Sequence, residues 1–340
     1  MSALAVLWFF LIFVLIAGYF VLDGFDLGVG VLYRALAKTD AERALVRRSI
    51  GPVWDGNEVW LLTAGGALFA AFPAAYATTF SGFYLAVMLV LFGLIVRAVS
   101  LEFGAHDPKW GRVWDACFTV GSFLPALLLG VALGNVIAGV PLATNGDYAG
   151  VPLLDLLSPF TLVVGALGFV MCMAAGAAWV ALKTERASAV HERAETQRRV
   201  WHVVALALFA VATVLAFAVV KPQFASGMLG AGVVFAIAFV ACIAASILRA
   251  KKGNDLAAFV LQSVAAVCLV ALAAVSLFPN LVVATPGSVG ESITLMNAAS
   301  SDTSLAWMTG IACIGVPLVL VYHVIAYRVF SGRIAEEDVA

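Results

Sequence analysis

The sequence predicts an all-α integral membrane protein with nine transmembrane helices, and three observations carry that prediction. Of its 340 residues 64% are hydrophobic and 11% charged, with a mean hydropathy of +1.06, whereas a soluble domain is nearer half apolar and a quarter charged. Apolar runs of spanning length fall at 5–33, 53–72, 76–99, 116–139, 158–182, 201–220, 226–248, 256–278 and 305–330. Between these runs, 18 of the 19 basic residues lie on alternate connections, at 34–52, 97–115, 183–200, 249–252 and the C-terminal end, and only Lys221 lies on the other set. Basic loops stay cytoplasmic, which places the N-terminus outside and the C-terminus in the cytoplasm. A miscounted helix would scramble the alternation.

No Lys or Arg precedes Arg34, so a cleavable signal peptide is not expected and the first apolar run should remain as a helix. That helix carries DGFDLGVG, with Asp23 and Asp26 three apart and Gly24, Gly28 and Gly30 among them. Glycines at this spacing let a neighbouring helix approach closely, so the acidic face should pack against protein. At 1.5 Å per residue from the exit near Arg34, Asp23 sits roughly 16 Å and Asp26 roughly 12 Å into the membrane.

The second run opens GPVWDGNEVW, placing Asp55 and Glu58 on one helical face beside Asn57, Trp54 and Trp60. They lie roughly 8–12 Å deep from the same side. The third run ends LIVRAVSLEF, with Arg97 and Glu102 near that surface, and the fourth begins WDACF with Asp115. Six of the 20 acids therefore gather at one end of the first four helices, with Arg97 as their partner. Two readings of this cluster stand on the residues alone. Ionisable groups at membrane depth are expensive, and a file of them reaching inward suits proton uptake. They also suit headgroup anchoring and ion pairs that lock the bundle.

The later runs are almost purely apolar apart from Gln262, His202 at an end, and Lys221, and form a wall against which an apolar ligand such as a quinone tail could lie. Asn135 suits a helix-packing hydrogen bond. The loop 279–304 has turn chemistry and should lie across the outer surface, and 183–200 reads as a solvated helix. The five cysteines sit singly in apolar runs as small hydrophobes. His106, His191, His202 and His323 are not placed to face one another across a bundle, so no haem ligated by this chain is expected. A net charge of −1 excludes a nucleic-acid binder, and the sequence has no nucleophilic triad, phosphate-binding glycine loop or zinc-type ligand set.

GYFVLDGFDLGVG, GPVWDGNEVWLLTAGGALFAAFP and YATTFSGFYLAVMLVLFGLIVRAVSLEF, with GSFLPALLLGVALGNVIAGVP and SITLMNAASSDTSL, resemble subunit II of bacterial cytochrome bd-type quinol oxidases over nearly the whole chain. The resemblance implies two four-helix bundles, 1–139 and 158–278, plus one peripheral helix, 305–330. It implies a pseudo-symmetric heterodimer in the bacterial cytoplasmic membrane with subunit I, which carries haem b, haem d and the quinol-oxidising loop. The complex would oxidise quinol, reduce O2 to water and build a proton-motive force by cytoplasmic proton uptake without pumping. Subunit II then holds no haem, contributes to proton delivery and assembly and, in some members, to an oxygen route and a bound structural quinone; a small accessory subunit is compatible with this.

By motif, Asp55 of WDGNEVW and Glu102 of SLEF match acidic positions assigned to the proton path, Trp60 matches the residue beside the oxygen-channel mouth, and Asp23 and Asp26 match the DGFD pair. Glu58 stands where some members have Gln, adding a titratable group, with Arg97 as charge partner. The rival class is a proton- or cation-coupled secondary transporter, which also needs intramembrane carboxylates but usually carries polar sites in both halves. A purely structural partner subunit is the third reading.

Overall fold

The computed structural model describes residues 2–104, 107–220, 225 and 228–335; His106 and Lys221 lie outside them. The long helices are α1 (Ala3–Leu36), α3 (Trp54–Ala71), α5 (Tyr84–Gly104), α6 (Gly111–Ala138), α7 (Pro159–Lys183), α8 (Ala189–Leu215, carried on by a π-helical turn to Val220), α9 (Met228–Lys251), α10 (Asp255–Leu277) and α12 (Asp302–Val329). Three shorter ones, α2 (Asp40–Ile50), α4 (Pro73–Gly82) and α11 (Leu295–Ala298), sit in connections, and β1 (Asn280–Val282) pairs antiparallel with β2 (Ile293–Thr294). Among the described residues, eight helices are long and apolar enough to cross a membrane. The expected second span, α3, forms as an 18-residue helix but is set apart from those eight by its polar opening, where Asp55, Asn57 and Glu58 fall in the first two turns.

Three expectations shift at their boundaries. The run 76–99 is two helices, because Pro73 starts α4 after the non-helical Phe72 and Phe83 (φ −98°, ψ 17°) interrupts it before α5. Proline is favoured in the first helical turn, where its missing N–H costs nothing. The basic connection 34–52 holds α2, closed by a capping box in which the Thr39 hydroxyl accepts from the Glu42 N–H and the Glu42 carboxylate accepts from the Thr39 N–H. The stretch 183–200 divides into the end of α7 at Lys183, a short connection, and from Ala189 the first turns of α8, capped by Ser188 accepting from the His191 N–H and running unbroken into the apolar part.

α1 is the central element, packed on α3, α6, α7 and α10. Its glycines make that possible. A Cβ on Gly28 would lie 1.8 Å from the Cys172 carbonyl oxygen of α7, and one on Gly176 of α7 would lie 2.4 Å from the Gly28 carbonyl carbon. Gly18 likewise seats the Trp60 indole, which a Cβ there would meet at 2.3 Å. Asn135 donates to the Val131 and Leu156 carbonyls, both at 2.9 Å, tying α6 to the loop that follows it. At the end opposite the basic connections the two long loops pair: Val140 N–H donates to Val283 O (2.9 Å), Thr285 N–H to Val140 O (3.0 Å) and Gly290 N–H to Leu142 O (2.9 Å).

Candidate functional site: a buried carboxylate–guanidinium cluster

Asp23 and Asp26 lie one helical turn apart on α1, and both are fully buried. Arg97 of α5 is fully buried opposite them because α6 comes close with Gly121, whose Cβ would fall 2.7 Å from the Arg97 backbone N. A single terminal nitrogen of Arg97, Nη2, donates to Asp23 Oδ1 (2.5 Å) and to Glu58 Oε1 of α3 (2.7 Å). Asp26 Oδ2 accepts from Asn57 Nδ2 at 2.7 Å, and Asn57 Oδ1 in turn accepts from the Tyr327 hydroxyl of α12 at 3.0 Å. Four helices thus meet in one polar knot.

The knot is incompletely satisfied. Asp23 Oδ2, Asp26 Oδ1, Arg97 Nε and Nη1 and the Tyr19 hydroxyl are buried without a hydrogen-bond partner. Three carboxyls crowd one guanidinium, so full ionisation would leave an excess of two negative charges in a fold where nearly all buried polar groups normally find partners. The bare carboxyl oxygens can accept a proton or a water, and the bare Arg97 N–H groups can donate to water, so the arrangement has the groups needed to hold both.

Beside the knot, Trp60 Nε1 donates to His323 Nε2 of α12 at 3.2 Å, while His323 Nδ1 lies 2.9 Å from the Val319 carbonyl. An indole only donates, so His323 accepts at Nε2 and carries its proton on Nδ1. Together with the Asn57–Tyr327 bond this docks α12, whose only buried residues are Leu305 and His323.

The predicted site residues divide into two groups. Asp23, Asp26, Glu58 and Arg97 come together in the knot, and Trp60 borders it. Asp55, in the first turn of α3, and Glu102, in the last turn of α5, are exposed. Asp115, expected in the Arg97 group, instead accepts from Arg47 (2.7 Å) and lies 3.7 Å from Arg43, because α2 lays those arginines over the start of α6. Two participants escaped the sequence reading: Tyr327, which no motif marks in an apolar helix, and His323 as a partner for Trp60.

Other polar groups form clasps at the basic end. Arg193 of α8 pairs with Glu42 and also donates to the Leu36 carbonyl. Those Arg193 hydrogen bonds, with the backbone N–H groups of Lys38 and Thr39, hold the Glu42 carboxyl down at about 2. Asp255 accepts from Arg333 (2.7 Å) and Arg198 (3.3 Å), with Arg186 at 3.9 Å. His191, Glu195 and Asp255 place donor atoms within 4.8 Å of one another, but three guanidinium groups already neutralise Asp255, so the charge there suits an ion-pair clasp and not a cation. His202 Nε2 bonds Gln262 Oε1 at 2.8 Å. Between α6–α10 and α1 lies an apolar cavity of about 340 Å³, with Gln262 and Ser263 among its lining.

The family model described as cytochrome bd terminal oxidase subunit II matches residues 4–330. Cytochrome bd-I ubiquinol oxidase subunit 2 of Escherichia coli (strain K12) is 35% identical, over 99% of this chain and 97% of the relative. Cytochrome bd ubiquinol oxidase subunit 2 of Bacillus subtilis (strain 168) is 33% identical over 99% of both chains. Among solved structures, a chain of the bd oxidase from Geobacillus thermodenitrificans matches with a TM-score of 0.81 at 14% identity, covering 97% of this chain and 99% of that one, and so speaks for the fold. A multi-pass protein of the bacterial cytoplasmic membrane, the chain belongs to the cytochrome bd terminal oxidase subunit II family.

Proposed function

We propose that the chain is the haem-free second subunit of a bd-type quinol oxidase, supplying the cytoplasmic proton path and oxygen access and stabilising a haem-bearing subunit I. The observation that carries this is the buried knot, where Asp23 and Glu58 share one guanidinium, Asp26 lies beside them on Asn57, and two carboxyl oxygens are left unpartnered. Asp55 and Glu102, exposed near the same end, are the groups through which protons would enter. Glu58 and Asp23 hold and exchange protons beside Arg97, which stays charged and orients both carboxyls, and Asp26 continues the line towards Asn57 and Tyr327. Trp60, held by His323, borders the oxygen entrance.

In this reading nine helices cross the membrane, α3 included, with the N-terminus outside and the C-terminus cytoplasmic. The alternation of 18 basic residues supports it. The helices group as 1–139 and 158–278, with 305–330 as the peripheral ninth. Haem b and haem d belong to subunit I, where quinol is oxidised and O2 reduced to water. Each described histidine is engaged within this chain: His202 by Gln262, His323 by Trp60, and His191, 3.5 Å from Arg333 and 3.9 Å from Glu195, by the basic-end clasp. The apolar cavity fits an isoprenoid tail of a structural quinone. A secondary transporter is less well supported, because the buried knot lies among α1, α3, α5 and α12 and the relatives are oxidase subunits.

The test is Asp55→Asn in the assembled oxidase, with quinol-driven oxygen consumption and the reduced-minus-oxidised haem spectrum recorded together. A normal spectrum with collapsed turnover is expected. Unchanged turnover would remove Asp55 from the path, and loss of both signals would make its role structural.

A further inference from the structure

A second polar recess, separate from the knot, opens between α8 and the end of α9, with a volume of about 260 Å³. Its lining carries three cations, Arg198, Arg199 and Lys251, against one carboxylate, Glu195, which Arg198 already pairs at 3.3 Å. Arg198 is buried and held between Glu195 and Asp255, so it is fixed in place. Arg199 and Lys251 are exposed and, among the described residues, no ion pair or hydrogen bond occupies their side chains. His202 also lines the recess, and its fully buried Nδ1 has no partner while Nε2 is spent on Gln262. The wall ends at Gly253, whose φ of +71° is the left-handed conformation that closes a helix, and the chain there is fixed by Arg186 donating to the Gly253 carbonyl.

Such a recess is short of anions. We propose that it binds a phosphate group, and specifically the headgroup of an anionic phospholipid. The argument for a lipid over free phosphate is the flank. Val200, Val203 and Leu248, on the two helices that form the recess, are 48%, 59% and 59% exposed, giving acyl chains an apolar surface beside the cationic mouth. Juxtamembrane Lys and Arg attract anionic headgroups, and guanidinium forks match phosphate oxygens. The phosphate would sit between Arg199 and Lys251, over Arg198, and a glycerol hydroxyl would donate to His202 Nδ1.

The test uses the oxidase purified with its partner subunit in detergent, titrated with phosphatidylglycerol and, separately, phosphatidylcholine, with retained lipid counted by native mass spectrometry. Wild type is expected to retain phosphatidylglycerol in preference to phosphatidylcholine. The double variant Arg199→Gln/Lys251→Gln, both exposed positions, should bind it about thirtyfold more weakly, the sum expected for two juxtamembrane cations. Ala250→Trp, which keeps every charge but fills the recess, should weaken it too, while Arg249→Gln, an exposed cation outside the lining, should leave it unchanged. Equal retention in the double variant, or an Arg249→Gln loss as large as that of the double variant, overturns the proposal. Displacement of the lipid by inorganic phosphate at the same concentration would assign the recess to a free anion and overturn the lipid.

Discussion

Among the described residues, the Asp255 clasp and the Arg97 knot are buried ion-pair systems built from the same residue types, and they are satisfied to opposite degrees. At the basic end, Asp255 is surrounded by Arg198, Arg333 and Arg186, and both its oxygens are taken. In the knot the ratio is inverted, with three carboxyls around Arg97, and unpartnered atoms remain on Asp23, Asp26 and Arg97 itself. The Asp255 clasp leaves none of its side-chain atoms buried and bare, whereas each such atom in the knot costs about 1–3 kcal/mol. The difference teaches that burial of charge is not by itself the mark of function; incomplete neutralisation is the better guide.

The comparison breaks most visibly at Arg97. Arg97→Met leaves Asp23 and Glu58 without their counter-charge, and removing one partner of a buried pair typically costs about 3–5 kcal/mol. The expected outcome is poor assembly, read as a lost haem spectrum and a lowered unfolding temperature of the complex. Asp26→Asn keeps the shape of the knot and the bond from Asn57 but removes a titratable site. If the knot carries protons, oxygen consumption should fall by about 100-fold, the scale of a lost proton-transfer group, with the haem spectrum intact. Equal falls in turnover and spectrum would place the knot in the same class as the clasp.

Glu42 sharpens the other side. Its carboxyl is held at about 2 against an ordinary 4.5, so between those values the unfolded chain binds more protons than the folded one. The stability contributed by the Arg193 pair is therefore complete above pH 4.5 and lost as the pH falls through about 2. Thermal unfolding between pH 7 and 3 should show this decline with an amplitude of about 2 kcal/mol, and Glu42→Gln should flatten it. The smallest effect is expected from Trp60→Phe, which keeps a ring against Gly18 but drops the bond to His323, at a cost of about 1 kcal/mol. Measured as unfolding temperature, it should also reveal whether α12 loosens, through faster proteolysis of the C-terminal helix.

Much of the knot was legible because carboxylates are rare in apolar runs, so Asp23, Asp26 and Glu58 announced themselves, and Arg97 followed as the cation at matching depth. What failed was lateral resolution. Asp55 and Glu58 share a helical face, yet one is exposed and the other half-buried, a distinction set by the neighbouring helices and not by spacing. Tyr327 was invisible because an aromatic residue in a spanning helix is ordinary until its hydroxyl is seen to reach Asn57. Asp115 falls outside the knot because the basic connection 34–52 holds a helix, which Thr39 and Glu42 spell as a capping box, and α2 brings Arg43 and Arg47 over Asp115. The break at Phe83 left no composition signal, since α4 and α5 are both apolar.

The contact of Gly28 with Cys172 and Gly176 carries a mechanical consequence. There, two backbones touch with only hydrogen atoms between them, so α1 and α7 are welded at the depth of the acidic pair. Helices joined this closely neither slide nor hinge against each other without steric overlap, and Asp26 rides two residues from the weld. On the proposed proton path, charge would pass Asp26 through a fixed frame, by rotation of side chains and exchange of hydrogens with water. Its speed would then be set by hydration of a rigid frame, and the expected signature is a turnover that responds to solvent isotope composition more than to membrane thickness or tension.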